Sequence, residues 1–150
     1  MADLDDPFDL ERYVRAQAST YEQALAEIRG GRKRSHWMWF VFPQFDGLGA
    51  SAASKHYAVK TVAEARAYLA HPVLGARLIE CADSLLALDG RTAFDVLGSP
   101  DDLKLRSSAT LFAHVSGDGS VFHRLLAKFF QGRADERTLG LIRDASGGAD

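Results

Sequence analysis

Apolar residues recur along most of the chain at the three-to-four-residue spacing of helices facing a common core, with turn residues between the runs. Asp6-Pro7 and Asp9 precede Leu10, Tyr13, Val14 and Gln17, and a capping acid with an early proline predicts a first helix there. Ser19-Thr20 interrupt it, because their hydroxyls compete for backbone groups. A second pattern, Tyr21, Ala24, Leu25 and Ile28, then runs to the double glycine Gly30-Gly31. Thr61-Val62-Ala63-Glu64 has the form of a capping box and predicts a helix ending near His71. Pro72 opens another, whose Val73, Leu74, Leu78, Ala82, Leu85 and Leu86 keep helical spacing until Asp89-Gly90. Ser99-Pro100-Asp101-Asp102 combines a capping serine, a proline and two acids at the positive end of the helix dipole, which predicts a helix from Pro100 to Val115. After a loop at 116–120, Phe122, Leu125, Leu126 and Phe129 repeat the pattern, Gly132 stops it, and a last short helix passes through Leu139 and Ile142.

No alternating apolar and polar run bounded by hairpin turns occurs, and no internal repeat or linker composition divides the chain. The expected fold class is therefore mainly α: a compact, single-domain multihelical bundle of about six to eight helices over residues 1–150, with loose ends at 1–6 and 146–150. The run Trp37–Phe42 fits a buried strand as well as a short buried helix, and Pro43 ends it in either case. The stretch from Phe45 to Lys60, with Gly47, Gly49 and several small residues, reads as an ordered loop.

Composition narrows the function. A chain of 150 residues that is 47% hydrophobic and 25% charged fits one core. A net charge of -2 and a pI near 6.2 argue against general nucleic-acid binding, although Arg29 and Arg32-Lys33-Arg34 form a local basic cluster. Cys81 is the sole cysteine, so no intramolecular disulfide forms and a reducing, cytoplasmic location is expected. No apolar run reaches the roughly 20 residues that span a bilayer, and the start of the chain lacks a signal-peptide layout. His36, His56, His71, His114 and His123 are scattered, so no metal is expected. No phosphate loop, dinucleotide fingerprint or nucleophile elbow is present, and no cofactor is implied. Asp9, Asp46, Glu64 and Asp95 read as caps or turn residues.

Three groups carry candidate chemistry. In the first, Lys33, Arg34 and His36 precede Trp37 and Trp39, and Gln44 follows, combining apolar walls with a few polar groups as ligand pockets do. His36 is the candidate catalytic acid or base. In the second, Gly49 to Tyr57, small residues give a ligand access to backbone amides while Ser54, Lys55 and Tyr57 contact it. In the third, Lys104, Arg106, Ser107, Ser108 and Thr110 put cations and hydroxyls on one helix. If the groups converge, Lys33, His36, Lys55, Lys104 and Arg106 hold an anion. Trp37 and Trp39 stack a ring, and Gln44, Ser54, Tyr57, Ser107 and Thr110 read polar edges. The expected ligand is a small anionic, ring-bearing metabolite such as a nucleotide or an ADP-ribose-like compound, and whether it is transformed stays open. The other class of function is a helical protein-interaction module with the aromatics as core; no protein partner is identified.

The motifs Arg32-Lys33-Arg34-Ser35-His36-Trp37-Met38-Trp39-Phe40-Val41-Phe42-Pro43-Gln44, Gly47-Leu48-Gly49 with Ser54 and Tyr57, His71-Pro72-Val73-Leu74-Gly75 with Arg77-Leu78, and Lys104-Leu105-Arg106-Ser107-Ser108 with Thr110-Leu111-Phe112 resemble a bacterial family, domain of unknown function 1810. The resemblance runs from Asp6-Pro7-Phe8 almost to the C-terminus. It implies a compact multihelical domain, and so a helix at Trp37–Phe42, but no reaction and no catalytic residues. The calpastatin label sometimes attached to this family conflicts with the chain's physics, since calpastatins are long, disordered and rich in charge and proline.

Overall fold

The computed structural model describes residues 6–147, among which ten helices follow one another. They are α1 (Glu11–Ala18), α2 (Tyr21–Arg29), α3 (Met38–Val41), α4 (Ala52–His56), α5 (Val62–Ala70), α6 (Leu74–Leu86), α7 (Ala93–Leu97), α8 (Asp101–His114), α9 (Val121–Phe130) and α10 (Glu136–Gly147). The mainly α class holds, while the count exceeds the expected six to eight. The additional elements are the single-turn helices α3, α4 and α7, of four or five residues, which are too short to display a helical period. The aromatic run is helical at its centre. The segment expected as a loop, 45–60, contains α4, started by the Ser51 hydroxyl accepting from Ser54 N. That segment is tied to itself by a parallel bridge, with Val59 N donating to Gln44 O and Asp46 N to Val59 O, both at 2.8 Å. The loose ends expected at 1–6 and 146–150 lie largely outside the described residues.

Two of the expected caps act differently. Thr61 does accept from Glu64 N at 3.0 Å, but the Glu64 carboxylate accepts from Lys60 N at 3.0 Å, one residue before the N-cap, so the box does not close. Ser99 stands outside α8, because Pro100 occupies the N-cap position and its carbonyl accepts from Leu103 N and Lys104 N. Asp6 caps α1 as an acid should, accepting from Leu10 N at 2.7 Å and Glu11 N at 2.9 Å. Asp95 closes a capping box with Thr92 on α7. Between α5 and α6 the chain turns so tightly that a Cβ on Gly75 would stand 2.0 Å from the Leu69 carbonyl oxygen, so only glycine fits.

The long helices α6 and α8 are the two hubs. Helices α2, α5 and α9 pack on α6, while α5, α7, α9 and α10 pack on α8, and α1 lies against α3. A file of aromatic rings runs through the centre, Tyr13 to Tyr68 to Phe112 to Phe122, with centroids 5.0, 5.4 and 5.6 Å apart. Gln17 is buried beside this file. Its amide donates to the Phe40 carbonyl at 2.7 Å, which also accepts from the Tyr68 hydroxyl at 3.1 Å, so the short α3 is fixed to α1 and α5. Cys81 is fully buried on α6, and desolvation pushes its thiol up to about 12, which makes it an inert core residue.

Two charged groups pin the remaining segments. Arg12 donates to Glu64 at 2.7 Å and to the carbonyls of Phe8, Asp9, His56 and Ala58, clamping the chain before α1, the end of α4 and the start of α5 together. Both partners are nearly enclosed, with side chains 10% and 5% exposed. Glu27, near the end of α2, accepts from Arg34 N, Ser35 N, the Ser35 hydroxyl and Trp37 Nε1 at 2.7–3.1 Å. Burial alone would raise its pKa, but these hydrogen bonds, led by that from Arg34 N, favour the carboxylate and hold it down at about 2.

Removing one partner of the enclosed Arg12–Glu64 pair leaves a buried charge alone, at a cost of about 3–5 kcal/mol. Arg12→Met should therefore lower the Tm by about 6–20 °C, and Arg12→Met with Glu64→Met should recover part of the loss. A single variant that melts within a degree of the native protein would show that the clamp contributes nothing. For Glu27 the sign follows from a folded pKa of about 2 below the ordinary 4.5: its contribution is complete above about pH 4.5 and disappears as the pH falls toward 2. The difference in urea midpoint between native protein and Glu27→Gln should narrow across that window. A difference independent of pH would mean that the charge of Glu27 is not what stabilises the loop.

Candidate functional site

The segment between α2 and α3 reaches its place through two attachments. Glu27 holds residues 34–37, and Lys33 N donates to Val96 O on α7 at 2.6 Å. The result sorts the aromatic run. Trp37 is fully buried with its indole N–H committed to Glu27, whereas Trp39 is only partly buried and His36 is exposed. Opposite them stands the first turn of α8. Asp101 there takes the Lys33 ammonium at 2.9 Å on one carboxylate oxygen and the Lys104 ammonium at 3.4 Å on the other. Both lysines also sit over indole rings, Lys33 at 5.1 Å from the Trp37 centroid and Lys104 at 5.4 Å from that of Trp39.

Two ammonium groups thus share one carboxylate in a poorly hydrated place. The Lys33, Lys104 and Asp101 side chains are 9%, 23% and 18% exposed. This leaves a surplus positive charge that nearby water screens weakly. Beside it is a cavity of about 290 Å³ walled by His36, Trp39 and Pro100 together with the two lysines. A second cleft of about 370 Å³ shares Pro100 and Lys104 with it and continues toward Gln44, Gly49, Leu103 and Arg137.

The first and third sequence groups therefore meet. Lys33, His36, Trp37, Trp39 and Lys104 line one cavity, and Gln44, Arg106 and Ser107 line the adjoining cleft with Lys104. Arg106, Ser107 and Thr110 are nevertheless largely committed within the fold. The Arg106 guanidinium donates to Arg133 O and Ala134 O at 2.9 Å, and the Ser107 hydroxyl contacts Leu103 O and Asp135 at 3.2 Å. The buried Thr110 hydroxyl donates to Arg106 O and accepts from Asp135 N, both at 2.8 Å, so this set fastens the α9–α10 turn to α8. Ser108 is buried, and its hydroxyl has no partner among the described residues.

The middle group is not brought to this cavity. Ser54 bonds the Ser51 hydroxyl at 2.8 Å and presses on Gly49, where a Cβ would meet it at 2.5 Å. Tyr57 packs against Phe40 and Tyr13, with centroids 5.3 and 5.9 Å away. Lys55 lines a separate cleft of about 660 Å³ with Phe8, His56 and Lys60. Two members of the site escaped the sequence reasoning. Asp101 looked like a helix-dipole acid, and its spacing of three from Lys104 was the available signal. Glu27 gave none, since its donors, two backbone amides and two side chains, lie on a loop seven to ten residues further on. Among the described residues no group of three or more potential metal ligands gathers, and no helix is long and apolar enough to cross a membrane.

A family model described as Protein of unknown function (DUF1810) matches residues 7–142. The chain is also similar to a solved structure, that of the conserved hypothetical protein Rv1873 from Mycobacterium tuberculosis at 1.38 Å. The two are 50% identical with a TM-score of 0.90, over 91% of this chain and 98% of the other. No curated protein matches. The motifs that build the cleft, Lys33 to Gln44 and Lys104 to Thr110, fall inside the matched span, and the chain belongs to the DUF1810 family.

Proposed function

We propose that this protein binds a small anionic, ring-bearing metabolite, of the nucleotide or ADP-ribose-like kind, in the cleft between Trp39 and Lys104. The observation that carries this is the charge arrangement: Lys33 and Lys104 are both largely enclosed and have one carboxylate between them. A ligand phosphate or carboxylate would complete the neutralisation. Trp39 and His36 supply the flat walls, and Gln44 supplies a polar edge in the adjoining cleft. His36 is the titratable group best placed to move a proton should the ligand react. Trp37 serves as core, so of the two tryptophans only Trp39 is a stacking wall. Arg106, Ser107 and Thr110 act by holding the cleft's far side in place, and Lys55 and Tyr57 take no part in this cavity.

The competing function, an interaction module with the aromatics as core, has the burial of Trp37 in its favour. The two functions separate by substitution. Trp37→Ala should cost about 3–5 kcal/mol of stability in either case. Lys104→Ala and Trp39→Ala should fold with smaller losses and yet bind less.

The test is a thermal-shift titration with AMP, ADP-ribose and sugar phosphates on native protein, Lys104→Ala and His36→Ala. A ligand at a hundred times its Kd adds about 2.7 kcal/mol, which for a chain of this size raises the Tm by about 5–11 °C. The rise should vanish in Lys104→Ala. No rise with any of these compounds would reject the pocket and favour a protein partner.

A further inference from the structure

Arg32, just before the aromatic run, takes no part in the Trp39 cleft, yet with Lys33 it lines a second cavity that shares Lys33 with that cleft. This second cavity, about 690 Å³, lies between Arg32-Lys33 and the stretch from Gly90 to Gly98. Lys33 lines both cavities. The two also follow one another along the same pair of chain segments: residues 32–33 face 90–98, and then residues 33–39 face 100–104. They form successive stretches of one seam.

The second cavity repeats the chemistry of the first. Phe94 is 61% exposed at its wall, so one phenyl ring is open to solvent beside this cavity. Two guanidinium groups accompany it. Arg32 is exposed and forms no ion pair among the described residues. Arg91 is held in position: its Nη1 donates to Gly31 O at 3.0 Å, and its guanidinium lies 2.7 Å from where a Gly31 Cβ would stand. Gly31 also has φ +80, so glycine is required there twice over, once for the backbone and once to seat the arginine. Along the seam Arg32, Arg91, Lys33 and Lys104 face only Asp95 and Asp101, with an aromatic ring toward each end.

We infer that the ligand of the Trp39 cleft extends along this seam to Phe94. That makes it a compound with a ring at each end and phosphates between, of the dinucleotide or dinucleoside polyphosphate class. The inference rests on the proposed Trp39 cleft and adds the second ring site and the intervening anion site. Phosphates would lie across Lys33, Arg32 and Arg91, whose forked donors suit phosphate oxygens, while a second base would stack on Phe94.

Calorimetric titration at low ionic strength with AMP, ATP and diadenosine tetraphosphate tests this. ATP carries the charge without the second ring, so the difference between the last two isolates Phe94. The native protein should bind diadenosine tetraphosphate about tenfold more tightly than ATP, the advantage expected of one stacked base. Phe94→Ala should bring the two to parity without changing AMP binding, and Arg32→Gln should weaken both polyphosphates while sparing AMP. Because Phe94 and Arg32 are exposed, both variants should melt with the native protein. If AMP and ATP bind in a manner lost in Trp39→Ala, but Phe94→Ala leaves the preference unaltered, the extension is overturned and the Trp39 cleft stands. If the folded protein binds none of the three probes, both are overturned.

Discussion

A single carboxylate organises the end of this bundle where the Trp39 cleft lies. Glu27 satisfies the amides of Arg34 and Ser35, the Ser35 hydroxyl and the indole N–H of Trp37, and so converts a connecting loop into a fixed strap. Without that anchor, Trp37 would have no partner for its N–H in the core, and the segment would keep only the attachments of Lys33 to Val96 and Asp101. Lys33 turns inward toward Asp101, His36 outward toward solvent, and Trp39 to the rim of the cavity.

The opposite wall depends on the same economy of charge. Asp101 sits where any helix favours an acid, in the first turn of α8, but it also meets two lysines from different parts of the chain. Each lysine alone would be an awkward guest beside an indole in a half-closed space. Together with Asp101 they are tolerable, though not neutral. That imbalance makes the cleft differ from an ordinary helix packing seam, where apolar contacts are complete and charges are matched.

How far the sequence disclosed this depended on the range of each interaction. Helices longer than two turns announced themselves through apolar spacing and through caps such as Asp6, because those signals lie within a few residues of one another. The one-turn helices α3, α4 and α7 did not, since too few residues exist to establish a period. At the site, the aromatic run and Lys104 were visible as unusual chemistry, and the fold does bring them together. Hydroxyls on α8 carry a structural role that local pattern did not show. Ser107 and Thr110 looked available for a ligand, but they satisfy the turn into α10, a contact made more than twenty residues away and invisible to local pattern. Asp101 shows the reverse case, a residue whose local role was apparent and whose long-range role was not.

Trp37 and Trp39 are the only tryptophans in the chain. One is sealed against a carboxylate, and the other is partly open beneath an ammonium group. All indole emission from this protein therefore originates within three consecutive residues that border the cleft, from two fluorophores in contrasting surroundings. The molecule carries its own optical gauge, in which the blue-shifted component reports the integrity of the strap and the quenchable component reports what occupies the space beside it.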